Sequence, residues 1–355
     1  VFAVTEKPTV RSIQLAGNVV FDEEDLRKSL TLKKGSILNV YTVRNDMRRI
    51  EEMYKEKNYH NVNVSYRIEP QKNNQADVEY KVDEGNKILI KKILFTGNAA
   101  FKDSQLKKEI TTSEKNILSW FTSAGDLNQE ILNQDSARLT AFYHNNGYIR
   151  ARVGEPQVEF EEDGIVVTFK ASEGPRFKVG QVDLTGDLIL PKDELMKKIQ
   201  IAKEPFYNRE TLRSDVLALT DIYTGEGYAY ADVSPKVDQD SEKLVANITF
   251  QGDRGQQVYF ERIQISGNTK TRDNVIRREL RVYEEELYGG QRPKRGIRNL
   301  NRLDYFQNVK VDTAKGSADD RMKMNVEVSE KSTGAFTFGA GYGSAGERCM
   351  AISVA

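Results

Sequence analysis

Three short landmarks recur in the same order four times along this chain, and a repeat constrains architecture before any single residue does. Gly17-Asn18, Gly97-Asn98, Gly186-Asp187 and Gly267-Asn268 each follow a short alternating apolar run. Their positions set a period of roughly 80 to 90 residues. Roughly 42 residues after the first comes Asn58-Tyr59, and its later partners are Gly147-Tyr148, Gly227-Tyr228 and Asp304-Tyr305-Phe306. Further on come Asp83-Glu84-Gly85, Ser172-Glu173-Gly174, Gln251-Gly252-Asp253 and Ser329-Glu330-Lys331. A rod of similar modules suits contact with large partners better than chemistry at one cleft.

At 355 residues the chain is too long for one ordinary core and long enough for several small ones. The 53 basic and 53 acidic side chains balance, so nothing in the global charge favours nucleic acid. The single cysteine, Cys349, excludes an internal disulfide. No run approaches the ~18 apolar residues of a membrane helix. Val4-Thr5-Glu6-Lys7 echoes Val328-Ser329-Glu330-Lys331, so residues 1–7 read as the end of a preceding repeat.

Each repeat reads as strand, helix, helix, strand, strand. In the first, Val10, Ile13 and Leu15 mark the opening strand. Asp22 and Thr42 are the expected N-caps of its two helices. Met47, Ile50, Met53 and Tyr54 fall on one face of the longer helix. Val62, Val64, Tyr66 and Ile68 then alternate as a half-buried strand should. A two-helix layer on a three-stranded mixed sheet is an α+β solution to burying one face of each. The crossover should lay the first strand parallel to the third and leave the second at an open edge. The expected divisions are 8–88, 89–175, 176–256 and 257–333.

A β-α-α-β-β unit with these landmarks resembles the polypeptide-transport-associated (POTRA) domain, over essentially the whole chain. The most specific stretches are Arg278-Glu279-Leu280-Arg281, Arg302 to Phe306, and Ser329 to Gly334 running into Phe336 to Gly343. The resemblance implies four tandem POTRA domains, and residues 334–355 as the first strands of an outer-membrane β-barrel. Phe336, Phe338, Ala340 and Tyr342 alternate with Thr337, Gly339 and Gly341, as a lipid-facing strand would. The implied role is a periplasmic scaffold for outer-membrane protein assembly. Its partners would be unfolded β-barrel clients, periplasmic lipoproteins and chaperones. A related exporter, of the two-partner secretion or autotransporter-assembly kind, is the alternative.

No catalytic residue, cofactor or metal site emerges from the sequence. His60 and His144 fall near long-helix ends and read as solvated. Gly341 to Gly346 has dinucleotide-fingerprint spacing, but no helix is expected after it. Open edges, by contrast, offer unpaired backbone groups to an extended peptide. The expected client edge lies in the second repeat, where the segment looks longest: Ile149, Arg150, Ala151, Arg152, Val153, Val158 and Phe160. That repeat also carries an insertion of about nine residues, with Ile117, Leu118, Trp120 and Phe121 as an apolar loop that is either a contact site or packed on its own helices. The fourth repeat is locally basic. The resemblance implies lipoprotein docking there through charged pairs, at Arg277, Arg278, Arg281 and Glu284.

Overall fold

The computed structural model describes residues 6–119 and 121–331, together with the backbone of Phe336–Tyr342 and Arg348–Val354. The chain divides into two compact units, Val1–Pro175 and Arg176–Ala355. Each holds two of the repeats.

The first unit opens with β1 (Thr9–Ala16), α1 (Glu23–Ser29), α2 (Val40–Glu56), β2 (Asn63–Gln71) and β3 (Gln75–Asp83). β3 lies between the other strands, parallel to β1 and antiparallel to β2. Its period-two pattern is the reason: Ala76, Val78, Tyr80 and Val82 are buried on one face. Leu26 of α1 and Val43, Ile50 and Tyr54 of α2 close that face, and each such side chain contributes roughly 2 kcal/mol of apolar burial. α2 begins earlier than expected. Asn39, not Thr42, is its N-cap, and the Asn39 side chain accepts the Tyr41 N–H at 3.0 Å. Asp22 sits at the N-cap of α1, but its side chain makes no cap bond.

The second repeat has β4 (Ile90–Thr96), α3 (Asp103–Glu109), α4 (Gln129–Asn145), β5 (Arg152–Val153), β6 (Gln157–Glu161) and β7 (Gly164–Ser172). β7 is parallel to β4 and antiparallel to both short strands. The second unit repeats the plan with β8 (Lys178–Gly186), α5 (Lys192–Met196), a 3₁₀ turn at Ile201–Lys203, α6 (Arg209–Gly225), β9 (Asp232–Asp240) and β10 (Val245–Asp253). The fourth repeat follows as β11 (Tyr259–Ser266), α7 (Asp273–Leu280), α8 (Gln291–Arg302), β12 (Phe306–Lys315) and β13 (Arg321–Glu330). In both repeats the last strand is central, so the second strand is an open edge. β14 (Phe336–Tyr342) and β15 (Arg348–Val354) pair as an antiparallel hairpin. Residues 343–347, which hold most of the glycine fingerprint, lie outside the described residues.

The landmarks acquire causes here. Gly97 ends β4 with φ 77°, and a Cβ there would overlap the Ala171 carbonyl oxygen on β7. Gly17, Gly186 and Gly267 make the same approach to Val82, Gly252 and Val328. The second landmark ends each long helix in the left-handed region, where Gly, Asn and Asp are least penalised: Asn58 at φ 68°, Gly147 at 95°, Gly227 at 97° and Asp304 at 58°. Asn58 also joins two repeats of its unit. Its carbonyl accepts the Ile88 N–H at 2.8 Å and its side-chain oxygen the Leu127 N–H at 2.6 Å. In the second unit the Gly227 carbonyl accepts the Val258 N–H at 2.9 Å in the same way, and Leu287 fills the space a side chain at 227 would need.

The third landmark is a latch. Glu84 accepts the backbone N–H groups of Val19 and Val20 at 2.5 and 2.8 Å and the Tyr54 hydroxyl at 2.7 Å. Glu173 accepts from Ala100 and from the Tyr143 hydroxyl, both at 3.0 Å. Glu330 accepts the N–H groups of Thr269, Lys270 and Thr271. Strand register puts Arg254 of the third repeat at that place, two residues past the middle of Gln251-Gly252-Asp253, and the Tyr223 hydroxyl donates to the Asp187 carbonyl instead.

The Thr269 hydroxyl, followed by the Thr271 N–H, holds the Glu330 carboxyl down at about 2, below its ordinary 4.5. A depressed carboxylate stabilises the fold above its unfolded value, and that stability is lost as pH falls toward the folded one. Acid titration of the chain should therefore weaken the fourth repeat between pH 4.5 and about 2. Glu330→Gln is expected to flatten that decline, measured by hydrogen exchange of residues 257–331 across the window; an unchanged slope would remove Glu330 from the account.

Candidate partner-binding surfaces

The expected client edge in the second repeat is broken. Ile149 and Arg150 lie in a turn, and Ala151 is buried, with its N–H donating to the Tyr148 carbonyl at 3.0 Å. Only Arg152 and Val153 pair as β5, opposite Ser172 and Ala171. β6 resumes at Gln157 opposite Thr168, one residue out of step. The extra residue is a bulge spanning Glu155 and Pro156, and proline supplies no N–H to a ladder. The segment that looked longest is thus the most interrupted edge. Val153 and Val158 turn half-buried toward the core, while Phe160 is exposed, with the His60 ring 5.1 Å away.

The other edges run on. β2 and β9 each span 9 residues, with Pro70 and Pro235 inside them. β12 spans 10, Phe306–Lys315, and contains no proline. Its only irregularity is a register shift at Phe306/Asn308. Lys310 and Asp312 pair at 2.7 Å along it and are both exposed, an arrangement worth little in water.

The inserted segment of the second repeat holds its apolar side chains outward. Ile117 is 93% and Phe121 73% exposed, and Leu118 is exposed beside them. The backbone beneath is ordered by local bonds: Asn116 N–H to the Ser119 hydroxyl at 2.7 Å and Leu118 N–H to the Asn116 side chain at 2.8 Å. Trp120 lies outside the described residues.

The charged set in the fourth repeat divides. Glu284 accepts the Ile263 N–H at 2.9 Å, Arg277 donates to the Ile263 carbonyl at 2.9 Å, and the two side chains lie 3.7 Å apart. They pin the bulge in β11. The second repeat does the same with Glu114 on the Ile93 N–H at 2.8 Å and Lys107 on Glu114 at 2.6 Å. Arg277 and Glu284 therefore have a fold role shared with the second repeat, to which no lipoprotein docking is assigned. Arg278 and Arg281 remain exposed; Arg278 reaches Glu279 at 3.2 Å, and Arg281 caps α7 in the left-handed region at φ 51°.

Neither histidine is a solvated helix end. His60 is half-buried, which lowers its pKa, and His144 Nε2 lies 3.0 Å from the Ala151 carbonyl. Sequence reasoning passed over three buried carboxylates. Asp46, Asp135 and Asp215 each accept two backbone N–H groups from the turn after the short helix: Thr31 and Leu32, Thr111 and Thr112, Gln200 and Ile201. Among the described residues, no cluster of His, Cys, Asp or Glu could hold a metal, and no helix is long and apolar enough to cross a membrane.

Comparison with known proteins agrees with this geometry. The POTRA family, described as surface antigen variable number repeat, matches at residues 8–85, 88–174, 177–252 and 258–331. The outer membrane protein assembly factor BamA of Nitratidesulfovibrio vulgaris is 33% identical over 347 residues, 96% of this chain and 44% of its own length. BamA of Neisseria meningitidis is 29% identical over 346 residues, 96% of this chain and 43% of its own. This chain thus spans less than half the length of these two relatives. The crystal structure of Haemophilus influenzae BamA POTRA3-5 shares the fold, with a TM-score of 0.59 at 20% identity, over 68% of this chain and 96% of that one. The chain belongs to the POTRA family, as four successive repeats of the kind carried by BamA outer membrane protein assembly factors.

Proposed function

We propose that this chain is the periplasmic scaffold of an outer-membrane protein assembly machinery. It receives unfolded β-barrel clients, holds partner lipoproteins and passes client strands to a barrel that opens with β14 and β15. The observation that carries the reading is the recurring open edge: in the first, third and fourth repeats the second strand runs unbroken, with one side of its backbone unpaired. Strand addition reads backbone more than side chains, which suits a receptor for many clients of unlike sequence. β12 replaces Ile149 to Phe160 as the first candidate, because it is longer and has no proline. The exposed Ile117, Leu118 and Phe121 offer a second, apolar contact for clients or chaperones. Arg278 and Arg281 are the charges left for a lipoprotein.

The test is site-specific photo-cross-linking with an unfolded outer-membrane client. A cross-linker at Asp312 on β12 should capture the client more than one at Glu159 on β6, and far more than one at Glu52 on α2. Equal capture at all three positions would end the strand-addition reading.

A further inference from the structure

α8 carries arginines at 292, 295, 298 and 302 along a face shared with Asn299. With Leu280 and Arg281 at the end of α7, they line a groove of about 460 Å³. Its floor is backbone, since a Cβ at Gly296 would come within 2.7 Å of the Leu280 Cα and carbonyl oxygen. Arg292 is neutralised by Glu286 at 2.6 Å. Arg281, Arg295, Arg298 and Arg302 are exposed and form no ion pair among the described residues. In a chain of zero net charge, these four unpaired arginines are a local concentration of one sign.

The end of α8 lies where the repeat hands on the chain. The Lys331 N–H donates to the Tyr305 carbonyl at 2.8 Å, three residues past Arg302. From Lys331 the chain reaches β14 at Phe336, and five extended residues span at most about 18 Å. We propose that this groove binds the phosphates of anionic lipid headgroups, and so seats the fourth repeat on the membrane surface. The inference rests on the barrel reading of β14 and β15. The chemistry favours phosphate: guanidinium forks bind it two-pronged. The lining offers a partner little apolar surface, since Leu280 is its one apolar side chain and is buried.

The experiment is sedimentation of the full chain with vesicles of phosphatidylcholine alone and with added phosphatidylglycerol. Arg295→Gln/Arg298→Gln is compared with Lys33→Gln/Lys34→Gln, which removes the same charge from the first repeat. The wild type should prefer the anionic vesicles in a salt-sensitive way. The α8 pair should lose about 25-fold in that preference, roughly fivefold for each basic residue at an anionic surface, and the first-repeat pair should keep it. Equal loss in both variants, no anionic preference at all, or capture of poly-glutamate in place of vesicles would each overturn the groove. Salt-insensitive association with phosphatidylcholine reports the hairpin instead, so the barrel reading stands or falls on a separate component.

Discussion

Gly97→Ala is expected to cost the second repeat about 3 kcal/mol. Two penalties add. A non-glycine residue at φ 77° carries roughly 1 kcal/mol of backbone strain. The new methyl also overlaps the Ala171 carbonyl oxygen, which belongs to a central strand and cannot swing aside, and overpacking of that kind costs roughly 1–3 kcal/mol. Gly35→Ala separates the two effects, because Gly35 has φ 84° with nothing near the added methyl. It should show the strain alone. Urea titration read by hydrogen exchange within residues 88–174 for Gly97→Ala and within residues 8–85 for Gly35→Ala measures the two losses; equal losses at the two sites would show that the close approach to β7 carries no energy.

Asp135→Ala is expected to cost a similar amount, about 3 kcal/mol, by a different route. It leaves the part-buried N–H groups of Thr111 and Thr112 without their acceptor, at roughly 1–3 kcal/mol for each donor left unpaired. Asp135→Asn should recover little, since its amide nitrogen would face one of two donors while its oxygen serves the other. The fourth repeat is the natural control: Ile297 stands seven residues past the N-cap, where the other repeats have aspartate (39 to 46, 128 to 135, 208 to 215). If Asp135→Ala unfolds no more easily than the wild type, water satisfies that turn and the carboxylate is dispensable.

The strand order and the open edges were legible because they follow from alternation and crossover length, which are local. The glycine landmarks were legible as recurrences, though their cause, a carbonyl from a strand some 70 residues on, is tertiary. The break in the second-repeat edge was also written in the chain: Gly154 and Pro156 stand inside the run, and proline in a strand pattern argues against an unbroken strand. The buried aspartates were visible too, as a charge in the apolar stripe between Val43 and Ile50. The division of labour among Arg277, Glu284 and Arg281 was not. Which arginine pins a bulge and which stays free depends on side-chain reach across elements, and spacing along a helix does not encode it.

Asn58 and Gly227 have a consequence for how such chains diversify. One residue closes the long helix of its own repeat and receives the first bond of the next. The segment that genetic recombination could exchange intact is therefore not the interval between glycine landmarks. It runs from the end of one long helix to the end of the following one, half a period out of phase with the repeat that the sequence displays.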